Sequence, residues 1–327
     1  MASVKIINVK RKEMNKNIFR IVECSMFVVV VIILSLCFYL TQPVKTNLVL
    51  FLPSGSQTAI ISYLHKNGID LNLLDRYLLK FFGHPQKGWI DIGTNRLTKA
   101  DLLYKITHAK AAIVKVTLVP GETSELFISQ LARKLGLDRK KLSIFYKKYS
   151  PYMDGVIWPD TYYIPMGISE EHLMHYLITK SMGRHRFLAE KFFGVFNKTK
   201  WFRYITIASI IQKEAANKDE MPIIAAVIYN RLRKHMRLQM DGTLNYGKYS
   251  HIKVTKRRIN SDNSRFNTYK YNGLPPTPVG SVSIYALKAA IKPANIDYLY
   301  FVKGRNGRHI FTKSYRSHLK ALKSVNK

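Results

Sequence analysis

The chain has 327 residues, 47% of them apolar, which is enough for a real core and more than one average domain; two domains with an appendage are expected. Its 53 Lys and Arg against 20 Asp and Glu leave a net charge of +33, a balance that must attract something anionic: nucleic acid, an acidic membrane leaflet or an acidic polymer. The two cysteines, Cys24 and Cys37, both fall in one apolar run near the N-terminus, which excludes a body folded by disulfides or organised around thiolate metal ligands.

That run, residues 21–41 (IVECSMFVVVVIILSLCFYLT), has the length and composition of a transmembrane helix, interrupted only by Glu23 near its start. Before it, Lys5, Lys10, Arg11, Lys12, Lys16 and Arg20 stand against Glu13 alone, so the positive-inside rule keeps residues 1–20 cytoplasmic as a basic tail. Everything after Pro43 then lies outside. No A-x-A cleavage site follows, so the run reads as an uncleaved signal anchor rather than a removed signal peptide, and Leu36 is too large for a lipoprotein site at Cys37. An exported, cysteine-free, strongly basic body points away from nucleic acid and toward the carboxylates and phosphates of the cell envelope, with part of the charge meeting anionic lipid.

After the anchor, TNLVLFLP reads as a strand, SGSQTAIISYLHKNG as a capped helix ending at Gly68, and LNLLDRYLLKFFG as a second helix. VKVTLVP alternates as a strand. GETSELFISQLARKLGL follows as a helix with Thr123 or Ser124 at its N-cap and Leu126, Leu131 and Leu135 on its inner side. From Trp201 a helix runs to about Glu214. A break at Asn217–Glu220 separates it from a helix PIIAAVIYNRLRKHM, with Pro222 near its first position. DYLYFVKGRNGRHIFT reads as a hairpin about Asn306-Gly307, and Ser314 caps a final basic helix. The fold class is α+β.

One residue breaks the rule that carboxylates face water. At 100° per residue, Ile207, Ile210 and Ile211 all lie within about 60° of Glu214, while Ser209, Gln212 and Lys213 lie on the other side. A carboxylate so placed is desolvated at a helix end, paired with a cation, or used for chemistry. Two polar loops held by Gly and Pro, LQMDGTLNYG (238–247) and FNTYKYNGLPPTPVG (266–280), supply Gln239, Asp241, Thr243, Asn267, Thr268 and Tyr269. Amides, hydroxyls and aromatic faces of this kind build sugar-binding clefts, although each residue taken singly also fits a turn. The ten histidines lack H-x-x-x-H or H-E-x-x-H spacing, so no metal and no cofactor is expected, and His309 reads as a hairpin-surface or cleft-wall residue. No G-x-S-x-G elbow, P-loop or dinucleotide fingerprint is present.

SIIQKEAANKDEMPIIAAVIYNRLRKHMRLQMDGTLNYG, then FNTYKYNGLPPTPVGSVSIYALKAAIKPANIDYLYFV and HIFT, resemble the C-terminal domain of the MltG, or YceG-like, family of endolytic murein transglycosylases. Upstream, DGVIWPDTYYIP (154–165) is similar to the family's E-G-x-x-x-P-D-T-Y segment and VTLVPGETSELFISQLARKLGLD to its P-E-G-x-T unit, so the likeness runs from about Lys87 to the end. The resemblance implies residues 42–151 as an exported region with a LysM-like α+β subdomain and residues 152–327 as an α+β catalytic domain. By position it puts the catalytic glutamate on Glu214, with Gln212 where the family has a first Glu. The family's L-Q-T-D-P-T keeps Gln239, Asp241 and Thr243 here, and with Asn267, Thr268 and Tyr269 of the second polar loop these are the expected substrate contacts. Met240 and Gly242 depart from the family's L-Q-T-D-P-T, Asp154 replaces a Glu, and Pro120-Gly121-Glu122 permutes P-E-G.

A usual glycosidase needs two carboxylates. With one, the implied chemistry recruits the 2-acetamido group and C6 hydroxyl of N-acetylmuramic acid, cutting the MurNAc-β-1,4-GlcNAc bond of nascent strands to leave 1,6-anhydro ends. The alternatives are a two-carboxylate muramidase in which Asp241 joins Glu214, and a non-catalytic wall-binding membrane scaffold. Expected partners are peptidoglycan glycan strands, the inner membrane and the penicillin-binding-protein synthases beside which nascent strands lie. The expected topology is single-pass, N-terminus cytoplasmic and catalytic domain periplasmic.

Overall fold

The structure, a computed structural model, describes residues 2–326, with side chains described from 19 to 325. Lys5, Lys10, Arg11, Lys12, Glu13 and Lys16, on which the orientation argument rests, therefore have side chains outside the described set. Packing divides the chain into two compact units, Met1–Ile113 with Pro165–Gly167, and Val114–Ile164 with Ile168–Lys327.

The first unit opens with α1 (Ala2–Thr41). Its stretch Phe19–Thr41 is, among the described residues, the one helix long and apolar enough to cross a membrane by length and composition, and no residue of it is fully buried in protein. The remaining elements are β1 (Pro43–Lys45), β2 (Val49–Leu52), α2 (Gln57–Lys66), α3 (Leu73–Phe82), β3 (Gly88–Asp91), β4 (Arg96–Thr98) and α4 (Lys99–His108). β2 pairs antiparallel with β3, Leu50 opposite Ile90, and β1 pairs antiparallel with β4, Val44 opposite Leu97. Period-two alternation turns Leu50, Leu52 and Ile90 inward onto Leu64, Leu79, Leu102 and Ile106. The helices start where the sequence says. Ser56 Oγ accepts the Ala59 N–H, and Asn72 and Asp75 form a capping box on α3. Asp75 is fully buried and also accepts the Tyr39 hydroxyl at 2.8 Å, with the Lys99 ammonium 3.9 Å away. Leu36, Tyr39 and Leu40 of α1 pack on this core, so α1 runs into the unit without a linker.

The second unit holds β5 (Ile113–Thr117), α5 (Ser124–Leu135), α6 (Arg139–Tyr149), β6 (Thr161–Pro165), α7 (Glu170–Phe193), α8 (Lys198–Glu214) and α9 (Met221–Arg233). Two short 3-10 turns follow (Asp241–Leu244, Gly247–Tyr249), then α10 (Lys256–Ser261), α11 (Ile284–Ile291), β7 (Tyr300–Lys303), β8 (His309–Thr312) and α12 (Tyr315–Asn326). β5 neighbours β6, and β7–β8 is an antiparallel hairpin with Lys303 opposite His309 and Gly307 in the left-handed region of its turn. α8 is the central helix: Trp201, Phe202, Ile205, Ile207, Ala208, Ile210 and Ile211 are all buried, against α9 and α11. It is apolar nearly all round because it is covered nearly all round.

Two sequence readings differ from the packing. On α5 the buried stripe is Phe127, Ile128 and Leu131, with Leu126 and Leu135 only half-buried, because a one-position rotation satisfies the same spacing with a larger aromatic inside. The packing boundary falls at Ile113–Val114 rather than 151–152, since the Asp154 carboxylate is buried and accepts the Ser124 N–H at 2.5 Å, tying α5 to the segment before β6.

Candidate active site

Glu214 is the last residue of α8, and the phase with Ile207, Ile210 and Ile211 that marked it in the sequence is the buried face of that helix. The helix stops because Asn217 Oδ1 accepts the Asp219 and Glu220 N–H groups at 3.0 and 3.1 Å, turning the chain before α9. Glu214 is half-buried and faces a cleft of about 770 Å³. Its Oε1 accepts the Gly242 backbone N–H at 2.7 Å, the one hydrogen bond made to its carboxyl among the described residues. Gly242 has no substitute here: a Cβ would stand 2.8 Å from Glu214 Oε1 and 2.8 Å from Lys213 Cβ. A proline would also remove the donor.

Burial pushes the Glu214 carboxyl up to about 7; the neighbouring Asp241 charge adds to this, while the Gly242 hydrogen bond and Arg231 oppose it. The group therefore changes charge near neutrality, as a general acid that must later act as a base requires. Lys213, which also lines the cleft, donates to Ser250 Oγ at 3.1 Å. Its ammonium is brought down to about 8 by burial, against the pull of Asp154 and Glu122, and Asp154 is raised to about 7 by burial. Gln212, where the family pattern has a Glu, turns away from the cleft and accepts the Ser283 N–H at 3.1 Å at the start of α11.

Of the six expected substrate-contact residues, Gln239, Asp241 and Tyr269 line the cleft with Glu214. Tyr269 donates its hydroxyl to Asp241 Oδ1 at 2.7 Å. Gln239 is exposed and held at φ 49°, a left-handed conformation uncommon outside glycine and of the kind found at ligand clamps. Thr243, Asn267 and Thr268 are instead buried, a correction to the expected contacts. Their polar groups are already engaged. Thr268 Oγ1 accepts the Met240 N–H at 3.2 Å and meets Thr243 Oγ1 at 2.9 Å, while Asn267 donates to the carbonyls of Ile259 and Asp262 and accepts the Tyr269 N–H at 3.1 Å. They splice the two loops together and so position Gln239, Asp241 and Tyr269.

Of the opposite wall, only His309 was anticipated from the sequence. This wall is made by the β7–β8 hairpin and α12, which bring Tyr300, Lys303, His309, Tyr315 and His318 to the cleft. The Tyr300 ring stacks on His318 with centroids 5.2 Å apart, Tyr315 stands 5.9 Å from it, and Arg231 lies over it at 5.3 Å. His309 is a cleft-wall residue fixed by Glu220, which accepts its Nδ1–H at 2.7 Å and its backbone N–H at 3.0 Å. The aromatic positions of β7 and of the first turn of α12 were visible, but nothing local shows that a terminal helix folds back onto a loop some seventy residues earlier.

The open cleft thus holds one carboxylic acid raised to near neutrality, with amide and hydroxyl groups on one side and stacked aromatic rings and cations on the other. The chain belongs to the YceG-like family, whose model matches residues 51–324. It is 31% identical over 310 residues to the endolytic murein transglycosylase of Bacillus subtilis, covering 85% of this chain and 84% of that one. It is 31% identical over 183 residues to the endolytic murein transglycosylase of a Streptococcus pneumoniae strain, covering 54% of this chain and 33% of that longer one. A crystal structure of a YceG-like protein from Listeria monocytogenes superposes with a TM-score of 0.53 at 24% identity, over 84% of this chain and 99% of that one, a likeness of fold.

Proposed function

We propose that this chain is a membrane-anchored lytic transglycosylase that cuts the MurNAc-β-1,4-GlcNAc bond inside peptidoglycan strands and leaves 1,6-anhydroMurNAc ends. The observation that carries the reading is Glu214: a carboxyl raised to about 7 in an open cleft, with one oxygen held by Gly242. Its free Oε2 gives a proton to the glycosidic oxygen as the C1–O4 bond breaks. The substrate's 2-acetamido carbonyl stabilises the cationic C1, and its C6 hydroxyl then attacks C1 while Glu214, now a carboxylate steadied by the Gly242 N–H, takes the hydroxyl proton. No water enters. Gln239, Asp241 and Tyr269 orient the sugar from one side. Tyr300, Tyr315 and His318 offer ring faces from the other, and positioning on this scale supplies much of the rate.

Phe19–Thr41 is the proposed anchor, and the strand–helix–helix–strand order β2-α2-α3-β3, with its outer strands paired antiparallel, supports the LysM-like reading of that part of the first unit. The cut would fall on nascent strands close to the membrane, beside the synthases that make them. Asp241, in the same cleft and acting on the Glu214 titration, favours a second reading as a muramidase using two carboxylates. Mass spectrometry of fragments released from purified sacculi separates the two: anhydro ends are expected, and reducing ends would assign the hydrolase.

A further inference from the structure

α3 carries more apolar surface than its core contacts use. Asp75, Leu78 and Leu79 face inward, while Leu73 is 69% exposed, Leu74 45%, Tyr77 52% and Phe81 88%. At 100° per residue these four cover one arc of about 100°, with Arg76 and Lys80 on its flank. Arg76 lies 4.4 Å over the Tyr77 ring and Lys80 5.9 Å from it. Single exposed apolar residues are ordinary, but four contiguous ones with two aromatics mark a docking surface.

What covers this face is indicated by where it is attached. The 23 residues of Phe19–Thr41 rise about 34 Å as a helix, and a hydrocarbon core is about 30 Å thick, so the Tyr39 end stands at the outer boundary of the bilayer. Tyr39 donates to Asp75 of α3 at 2.8 Å. α3 is thus one hydrogen bond from the point where the anchor leaves the membrane, and β1 begins two residues beyond α1. We propose that α3 lies in the outer membrane–water interface, with Leu73, Leu74, Tyr77 and Phe81 among the upper acyl chains and Arg76 and Lys80 against anionic headgroups. An amphipathic helix flanked by cations is the form such contacts take. The inference rests on the anchored topology proposed above and adds a second, lateral contact that fixes how the first unit stands on the bilayer.

The test uses the full-length chain in vesicles containing phosphatidylglycerol, with Cys24→Ser and Cys37→Ser and a single environment-sensitive dye at Phe81→Cys, at Lys66→Cys on exposed α2, or at Val30→Cys in the anchor. Lipids bearing a nitroxide near the headgroup should quench the dye at 81 about threefold more than at 66, and Arg76→Glu with Lys80→Glu should abolish the difference. Equal quenching at 81 and 66, while a deep nitroxide quenches 30, would overturn the proposal and leave the anchor standing. A dye at 81 that stays quenched after the charge reversal would owe its depth to itself and also overturn it. Shielding of 81 from aqueous iodide without lipid quenching would assign the face to a second copy of the chain. A dye at 30 beyond reach of the deep nitroxide would remove the anchor reading itself.

Discussion

Glu214 has two faces to its chemistry that different substitutions separate. Glu214→Gln keeps the shape and removes the transferable proton, so cleavage of sacculi should fall by at least about 10²–10⁴-fold. It should also stabilise the protein, with a definite pH dependence. The folded carboxyl titrates near 7 and an unfolded one near 4.5, so its favourable contribution is present at low pH and is lost as pH rises from 4.5 through 7. At pH 8 the native state bears a cost of at most about 3 kcal/mol, less whatever water in the cleft relieves, and the Gln variant should melt higher there but not at pH 4. Thermal melts at the two pH values check this, and equal melting shifts at both would mean that Glu214 is not desolvated. Gly242→Ala tests the other oxygen. Displacing the N–H that opposes the rise should move the alkaline limb of the pH–rate profile upward and lower turnover about tenfold or more, because a 1.4 kcal/mol misfit is already tenfold. An unshifted limb would show that the hydrogen bond does not tune the acid.

At the level of elements, the sequence was most informative where apolar period and turn chemistry agree. α8, α9 with Pro222 inside its first turn, the capped α2, the α3 helix and the Asn306-Gly307 hairpin were all legible for that reason. α7 was not read, although it is 24 residues long. Its inner stripe of Leu173, Leu177, Ile178 and Leu188 is interrupted by Ser181 and His185, which look like surface residues until their partners are known. Ser181 Oγ accepts the Trp158 N–H at 3.0 Å, and His185 accepts the Trp201 indole N–H at 3.0 Å while its other nitrogen reaches Val156 O at 2.9 Å. Burial takes this imidazole down to about 4, so it is neutral in the fold. Its contribution to stability is full above pH 6.5 and lost as pH falls toward 4, about 2 kcal/mol by pH 5. His185→Gln should remove that slope in urea titrations, with the opposing slope from Glu214 left in place; an unchanged slope would mean the ring already carries charge. For the aromatic wall, Tyr315→Ala should raise KM about tenfold with a smaller change in kcat, as expected for the loss of one well-placed ring contact. A loss confined to kcat would place Tyr315 in the chemistry instead.

The whole molecule explains why the catalytic part cannot be cut where the motifs begin. Ser281 O accepts the Gly121 N–H and the Ser281 N–H donates to Glu122 O, each at 2.8 Å, and a Cβ on Gly280 would meet the Gly121 carbonyl at 2.8 Å. Thr123 donates to Gly247 O at 2.8 Å, and Ser124 meets both Asp154 and the buried Tyr146 hydroxyl. The segment 121–123, with α5 and α6 behind it, therefore braces the loops that hold Glu214. A fragment of residues 114–327 should fold and cleave sacculi, whereas residues 152–327 should be unfolded or inactive by circular dichroism and product assay. Folding of the shorter piece with full activity would make the bracing incidental. Pairwise motifs gave the site's first wall because each is local. This brace joins segments more than a hundred residues apart, and the α12 wall meets a loop some seventy residues earlier; no local pattern encodes such a meeting.

The return of Pro165–Gly167 to the first unit sets an order of events during synthesis. The Met166 N–H reaches Ala112 O at 2.9 Å, and Gly167 passes so close to Trp89 that a Cβ would lie 2.2 Å from its ring. A ribosome adds about 5–20 residues per second, so the roughly fifty residues between Ile113 and Pro165 delay this closing strap by several seconds. Throughout that interval the Trp89 edge of the first unit is a vacant seat on a growing chain. The early body must wait for a piece of the later one, and a side chain at Gly167 would act as a failure of timing and fit at maturation while leaving the residues of the cleft untouched.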